Sequence, residues 1–335
     1  MAEVRFLLVR LGSLGDIVNA LPAASALRAA HPGAEIDWVV ESKWKALLED
    51  HPALSSVQLL ERTPWRAYLD CAGRLRRRAY LFAIDFQGLF KSAGLAWLSR
   101  APLRIGFDSR SAREAGAAWL YTVRVPAEGA HVVEQNMSLA ARFRAIRSAR
   151  PDFGIKVSPQ AEDFIGAQLH ASGLREFYVI SPGGGWRSKC WPAERYGHLH
   201  RQLAEKYGWR AVVNFGPNEW ALVQEVAKAA DQPAPILLPM DVSQLMAAIR
   251  RAKFVLAADT GPLHLAVALN TPAVGLYGPT NPQRNGPYNP GDIVVDQARP
   301  EERTYKRGKD HSPAMLRISV AQVMEAIERR LAIRP

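Results

Sequence analysis

Short apolar runs alternate with longer helix-patterned segments along almost the entire chain, and this alternation leaves few folds open. In the first half the runs Val4–Arg10, Glu35–Val40, Ser56–Glu61, Tyr80–Asp85, Leu103–Gly106 and Tyr121–Val125 predict strands. In the second half Phe177–Ser181, Arg210–Phe215, Ile236–Leu238, Phe254–Ala258 and Ala273–Leu276 do the same. Helical patterns lie between them, among them Ser25–Ala30, Ala193–Tyr207, Glu219–Ala230, Val242–Arg251 and Pro262–Leu269. The expected architecture is α/β: two Rossmann-like, doubly wound parallel-sheet domains facing each other across a cleft. The stretch Arg147–Pro159 breaks the pattern and reads as the linker. A final amphipathic helix is expected over Ser319–Leu331. The expected organisation is therefore a first domain over 1–155, a second over 160–318, and a C-terminal helix over 319–335.

Composition narrows the partners. A length of 335 residues suits two domains, and hydrophobic and charged fractions of 48% and 22% are those of a globular chain. Lysine and arginine total 43 against 32 acidic residues, a formal net charge of +11, so an anionic substrate or surface is expected. Two cysteines, Cys71 and Cys190, form neither a disulfide framework nor a zinc pattern, which suits a reducing compartment. Arg10 interrupts the first apolar run, Phe6–Val9, too early for a signal-peptide core, and no apolar stretch approaches the ~18 residues of a membrane span. The expectation is a soluble or at most peripheral protein.

Open α/β sheets bind ligands beyond the carboxyl ends of their strands, so the loops there carry the functional reading. The first, Arg10-Leu-Gly-Ser-Leu-Gly-Asp16, combines two glycines with a carboxylate at the start of the next helix. Asp16 suits either an N-cap or a free carboxylate, and the Rossmann fingerprint is incomplete here. The second, Ser181-Pro-Gly-Gly-Gly-Trp-Arg-Ser-Lys-Cys-Trp-Pro192, frees backbone N–H groups of Gly183 and Gly184 beside Arg187 and Lys189, which suits a diphosphate; a plain surface loop is the alternative. The third, Asp259-Thr-Gly-Pro-Leu-His264, places Pro262 in a first helical turn with Thr260 or Gly261 as cap, an N-terminus that favours phosphate; His264 taken alone reads as a buried, satisfied histidine. A fourth, Tyr277-Gly-Pro-Thr-Asn-Pro282, makes a rigid turn at the same sheet edge.

No His-Glu-x-x-His, no Cys/His cluster, no loop Asp-x-Asp and no Gly-x-Ser-x-Gly elbow occurs. The nearest acidic pair, Glu35 and Asp37, opens a strand and reads as its solvated start. No metal site is expected. Arg62–Tyr80, with Arg74, Arg76, Arg77 and Arg78 around Trp65, Tyr68, Leu69 and Leu75, reads either as a solvated helix face or as a surface drawn to an anionic membrane. Basic and aromatic residues interleave in no recognisable nucleic-acid motif, so a nucleic-acid partner rests on charge alone and is not expected.

The loops, together with Asp85-Phe-Gln-Gly-Leu-Phe-Lys-Ser92, Ser188-Lys-Cys-Trp-Pro192 and Tyr277-Gly-Pro-Thr280, resemble those of the family-9 glycosyltransferases, and most of all the ADP-heptose:lipopolysaccharide heptosyltransferases of type I. The likeness runs in order from about residue 4 to residue 295. It implies a GT-B fold, an inverting transfer without a cofactor, an ADP-heptose-like donor, a Kdo–lipid A-like acceptor, and work at the cytoplasmic face of an anionic inner membrane. It makes the first domain the acceptor half and the second the nucleotide-sugar half.

By that resemblance Asp16 is the base and Lys189 the phosphate-contacting cation. Gly183, Gly184, Arg187, Asp259, Thr260, Gly261 and His264 line the donor site, Glu219 binds the ribose, and Met240 packs on the adenine. Gln87, Gly88, Lys91 and Arg113 face the acceptor. The alternatives are the same chemistry with another nucleotide sugar or acceptor, and a GT-B sugar-nucleotide 2-epimerase, which needs no acceptor loop.

Overall fold

The computed structural model describes residues 4–148 and 150–333. The chain divides into two compact units, Met1–Lys156 and Val157–Pro335. The first holds β1 (Arg5–Val9), β2 (Glu35–Glu41), β3 (Ser56–Leu60), β4 (Phe82–Asp85), β5 (Leu103–Phe107) and β6 (Val123–Val125). The second holds β7 (Phe177–Ser181), β8 (Arg210–Phe215), β9 (Ile236–Pro239), β10 (Val255–Ala258), β11 (Ala273–Tyr277) and β12 (Ile293–Asp296). Strand order is β3-β2-β1-β4-β5-β6 in one sheet and β12-β11-β10-β7-β8-β9 in the other, every pair parallel. Each is a doubly wound sheet whose chain reverses direction between its first and fourth strands, β1/β4 and β7/β10.

The central strands β1 and β7 are buried at almost every position, which is why they read as unbroken apolar runs rather than as alternation. All eleven expected strands form, to within two residues at either end. β12 escapes the sequence reading. It is a four-residue edge strand, Ile-Val-Val-Asp, entered through Asn289-Pro290-Gly291-Asp292, so its apolar run is too short to register. The helix expected at Ser25–Ala30 starts earlier, at Leu21, because Pro22 occupies its first turn instead of stopping it.

One expectation is corrected. Asp37 is not a solvated strand start but fully buried. Its carboxylate accepts from Tyr80 Oη (2.7 Å), Ser56 Oγ (2.7 Å) and Arg78 Nε (3.0 Å). β2 lies between two neighbours, so a polar side chain on it persists only with full hydrogen bonding. Glu35 remains partly exposed and pairs with Arg5 at 2.8 Å. Arg78, grouped by sequence with the other basic residues of its segment, is therefore a structural partner of Asp37.

The last helix, Val320–Ala332, begins with a Ser319–Gln322 capping box and contributes Val323, Ala326 and Ile327 to the core of the second unit. Its buried Arg330 donates to Asp292 at 2.7 Å, and Asp292 in turn accepts from the Ala273 amide at 3.0 Å. The helix is thereby fastened to the loop that launches β12.

Candidate active site

In the first unit, the loop after β1 is fixed from three sides before any ligand is considered. Arg10 Nη1 donates to the Phe86 carbonyl beyond β4, and Trp38 Nε1 donates to the Arg10 carbonyl at 3.1 Å. The Leu11 amide donates to Gln87 Oε1 at 2.8 Å. Gln87 is held by the fully buried Asp85, whose carboxyl accepts from Tyr121 Oη (2.6 Å), Ser92 Oγ (2.7 Å) and the Gln87 amide (2.8 Å). Burial raises the Asp85 pKa above the ordinary value in spite of these donors.

The loop aims a carboxylate. Asp16 is the third residue of the short helix Leu14–Val18, and Ser13, not Asp16, is its N-cap. Asp16 Oδ2 accepts from the Ser13 amide (3.2 Å) and hydroxyl (3.0 Å), closing the turn from inside. Arg10, with 4% of its side chain exposed, reaches Oδ1 at 2.7 Å, and half-exposed Arg113 approaches Oδ2 at 3.6 Å. Burial opposes ionisation of Asp16, but Arg10, Arg113 and Ser13 outweigh it and hold the carboxyl well below the usual carboxylate range. With 19% of its side chain exposed, Asp16 is an ionised carboxylate still reachable from solvent.

The acceptor-side candidates gather around it. Gly88 has φ +67°, and a Cβ there would sit 3.2 Å from the Arg113 amide, so glycine lets the Arg113 segment close onto this loop. The Gly88 carbonyl accepts from the Glu114 amide at 2.9 Å. Lys91 Nζ pairs with Glu41 Oε1 at 3.2 Å, and the Glu41 amide donates to the Leu11 carbonyl at 3.1 Å. Asp16, Gln87, Gly88, Lys91 and Arg113 thus belong to one hydrogen-bonded cluster at the carboxyl ends of β1, β2 and β4.

In the second unit the signs are reversed. Lys189, buried at the end of the turn Arg187–Lys189, donates to the Asp259 carboxylate (2.6 Å) and carbonyl (3.0 Å), with its ammonium 4.2 Å from the centre of the Trp186 ring. Asp259 also accepts from Asn285 Nδ2 at 2.6 Å, with His264 Nε2 at 3.7 Å. Burial opposes its ionisation; His264 and Lys189 prevail and bring it down to about 2. Thr260 caps the helix Gly261–Ala268 by position, its hydroxyl donating to the Ala258 carbonyl at 3.1 Å. His264 is buried beside Asp259, whereas Arg187 is exposed.

The glycine run has a second purpose that sequence did not indicate. A Cβ on Gly183 would stand 1.8 Å from Glu219 Oε1, so the missing side chain is the room that Glu219 occupies. Glu219 Oε2 accepts from the Gly216 amide at 2.7 Å. The structure therefore joins Gly183 to Glu219 and Lys189 to Asp259 and His264. Half-buried Met240 follows β9, one strand beyond Glu219 at the same sheet edge.

Sequence reasoning missed Arg10 as the counter-ion of Asp16, Glu41 as the partner of Lys91, and Asn285. Glu41 closes β2, so the rule that functional groups collect at carboxyl ends of strands points to it. Asn285 gives no signal, because it reaches Asp259 only after the turn beyond β11 has folded. The basic run Arg303–Lys309 was also passed over. Gly308 lies against Ser188, His311 Nδ1 meets the Cys190 carbonyl at 2.7 Å, and Arg307 lies 5.7 Å from the Trp186 ring. This segment covers the Lys189 loop.

Two doubly wound parallel sheets, each with charged loops at the carboxyl ends of its strands, are the architecture of the GT-B fold. The family described as Glycosyltransferase family 9 (heptosyltransferase) matches residues 69–314. Lipopolysaccharide heptosyltransferase 1 of Pseudomonas aeruginosa is 32% identical over 92% of this chain and 88% of its own length. Lipopolysaccharide heptosyltransferase 1 of Escherichia coli K12 is 29% identical over 88% of this chain and 94% of its own. The solved structure of E. coli heptosyltransferase WaaC with ADP is similar at a TM-score of 0.76 and 26% identity, covering 98% of this chain and all of that one. The chain belongs to glycosyltransferase family 9, and it is a glycosyltransferase. A putative UDP-N-acetylglucosamine 2-epimerase from Listeria monocytogenes shares the fold at a TM-score of 0.56 and 10% identity, and that likeness is of fold alone.

Proposed function

We propose that the chain moves a heptosyl group from ADP-heptose to the Kdo sugar of a lipid A-linked core acceptor, inverting the anomeric carbon. The work is placed at the inner face of the inner membrane, without a metal ion or other cofactor. Kinship with lipopolysaccharide heptosyltransferases supports the heptosyl donor and the lipopolysaccharide acceptor. The observation that carries the mechanism is the Asp16 carboxylate, kept ionised by Arg10 and Arg113 on a loop braced by Gln87.

Such a carboxylate is a weak base toward a resting hydroxyl. As the new C–O bond forms, however, the attacking oxygen becomes positively charged and strongly acidic, so a weak base suffices late in the reaction. Arg113 then has two roles in sequence. It holds Asp16 ionised in the free enzyme, and an anionic acceptor competes for its half-exposed guanidinium. Releasing Asp16 from this cation raises its proton affinity when the acceptor is in place. Gln87, Gly88 and Lys91 complete the acceptor side.

On the donor side Lys189 offsets charge on the departing diphosphate, with the helix N-terminus at Thr260–Gly261 and the amides of Gly183 and Gly184 as further donors. Arg187 adds exposed positive charge, Glu219 takes the ribose hydroxyls, and Met240 packs on the adenine. Asp259 and His264 act through Lys189. A doubly hydrogen-bonded ammonium is aimed before substrate arrives, which makes Asp259 a positioning residue.

The deciding experiment incubates the purified chain with ADP-heptose and with other ADP- and UDP-sugars, with and without a Kdo-bearing acceptor. ADP-heptose and acceptor together are expected to give a heptosylated product of inverted anomeric configuration. Preferred turnover of a different nucleotide sugar overturns the donor assignment. Acceptor-independent conversion of the sugar nucleotide points instead to epimerase chemistry.

A further inference from the structure

The first unit exposes large apolar side chains where a water-facing surface gains nothing from them. Trp119 is 80% exposed and Trp65 69%, and Leu69, Phe90 and Trp97 are each about half exposed. They sit on three elements in contact: the helices Trp65–Arg77 and Phe90–Leu98 and the turn Ala115–Leu120. Tyr68 Oη donates to the Lys91 carbonyl at 2.8 Å and lies against Gly94, joining the two helices. The Phe90 ring packs on Gly116, joining the second helix to the turn that carries Trp119. Trp65 and Leu69 are four residues apart, and Phe90 and Trp97 seven apart, so each pair shares one helix face. Scattered single hydrophobics need no explanation, but a connected group of this kind does.

The charge beside the group is one-sided. The helix Trp65–Arg77 carries exposed Arg66, Arg74, Arg76 and Arg77 against Asp70 alone, and Arg76 follows Leu69 by seven residues, on the same face. A second copy of this chain docked symmetrically would bring these arginines together. An anionic bilayer would instead meet every one of them, while tryptophan rings suit the headgroup boundary.

We propose that the Trp65–Leu69, Phe90–Trp97 and Trp119 faces form a docking surface for an anionic phospholipid bilayer. Phe90 and Lys91 are adjacent, so docking here holds the acceptor cluster around Asp16 at the membrane, where a lipid-linked acceptor is anchored. The purpose rests on the function proposed above, but the binding needs no substrate, so the two readings fail separately.

The test sediments the full chain with vesicles of phosphatidylcholine alone and of phosphatidylcholine with phosphatidylglycerol. Partition is expected onto the anionic vesicles. It should fall about tenfold or more in Trp97→Ser/Trp119→Ser, where apolar contact is lost, and about fivefold per charge in Arg76→Gln/Arg77→Gln. Added salt should abolish the arginine effect and spare part of the tryptophan one. Transfer to a soluble, deacylated acceptor should be unchanged in both variants. Tryptophan fluorescence of the unaltered chain should be quenched by brominated anionic lipid, a readout independent of how any variant folds. Absence of that quenching, equal binding to both kinds of vesicle, or unchanged partition of the tryptophan variant overturns the proposal. Loss of a chain dimer in that variant, without vesicle binding, also overturns it and assigns the face to a second copy.

Discussion

The two units run the same course, each placing its first strand third in the sheet and its fourth strand beside it, yet their loops bear opposite charge logic. In the first, an accessible anion, Asp16, is held by a buried cation, Arg10. In the second, a buried cation, Lys189, is held by a buried anion, Asp259. The backbone scaffold is indifferent to which sign it presents; loop residues decide it. A transfer that creates positive charge at an attacking oxygen and negative charge at a leaving phosphate needs one of each.

The largest effect that should break this pairing is on Asp16. Asp16→Asn keeps the shape, removes the proposed base, and is expected to cut turnover by ~10² to 10⁴ while donor affinity holds. Single-turnover kinetics with a donor titration checks this, and turnover within a few-fold of the parent would leave Asp16 only its place in the Ser13 capping box.

Lys189→Ala comes next. If the ammonium stabilises the departing diphosphate more than the bound donor, turnover should fall further than donor KM rises, by roughly 30- to 1,000-fold or ~2–4 kcal/mol. Arg187→Ala at the same ionic strength is the comparison, since that side chain is exposed and without the Asp259 anchor; a rise in KM alone for both would reduce Lys189 to general attraction.

A smaller effect sharpens the first unit. Arg113 lowers the Asp16 pKa, so Arg113→Gln should raise it toward the ordinary value, and the acid limb of the rate profile should move to higher pH. The shift should be a fraction of a unit, because the cation is half-exposed and screened by salt. An acid limb that stays put would separate Arg113 from Asp16. The smallest expected change is none: activity should persist in EDTA, with Lys189 and the helix N-terminus at Gly261 serving where a cation would otherwise sit, and strict dependence on magnesium or manganese would end that view.

Strands, sheet class and the positions of the candidate loops were legible because parallel central strands must be apolar and their loops must open at one edge. What escaped reading was pairing across distance. Nothing near Lys189 names Asp259, 70 residues later, as its partner, nor Asn285 as the next link. Asp37 misled for the same reason: an acidic residue early in a strand reads as solvated until Arg78 and Tyr80 arrive from another segment. Glycine was legible as freedom of the backbone but not as vacancy, which is how Gly183 accommodates Glu219.

The anchoring of Arg10 bears on how the enzyme comes to exist. Its carbonyl is gripped by Trp38, its amide by Val39 and its guanidinium by the Phe86 carbonyl, so the residue is placed only when β1, β2 and β4 have met. Contacts separated by 28 and 76 residues form slowly, after local helices have come and gone. The Asp16 clamp is therefore among the late arrivals in folding. Recovery of turnover during refolding should lag behind the return of helical signal, since a half-assembled sheet has the carboxylate but nothing to hold it in place.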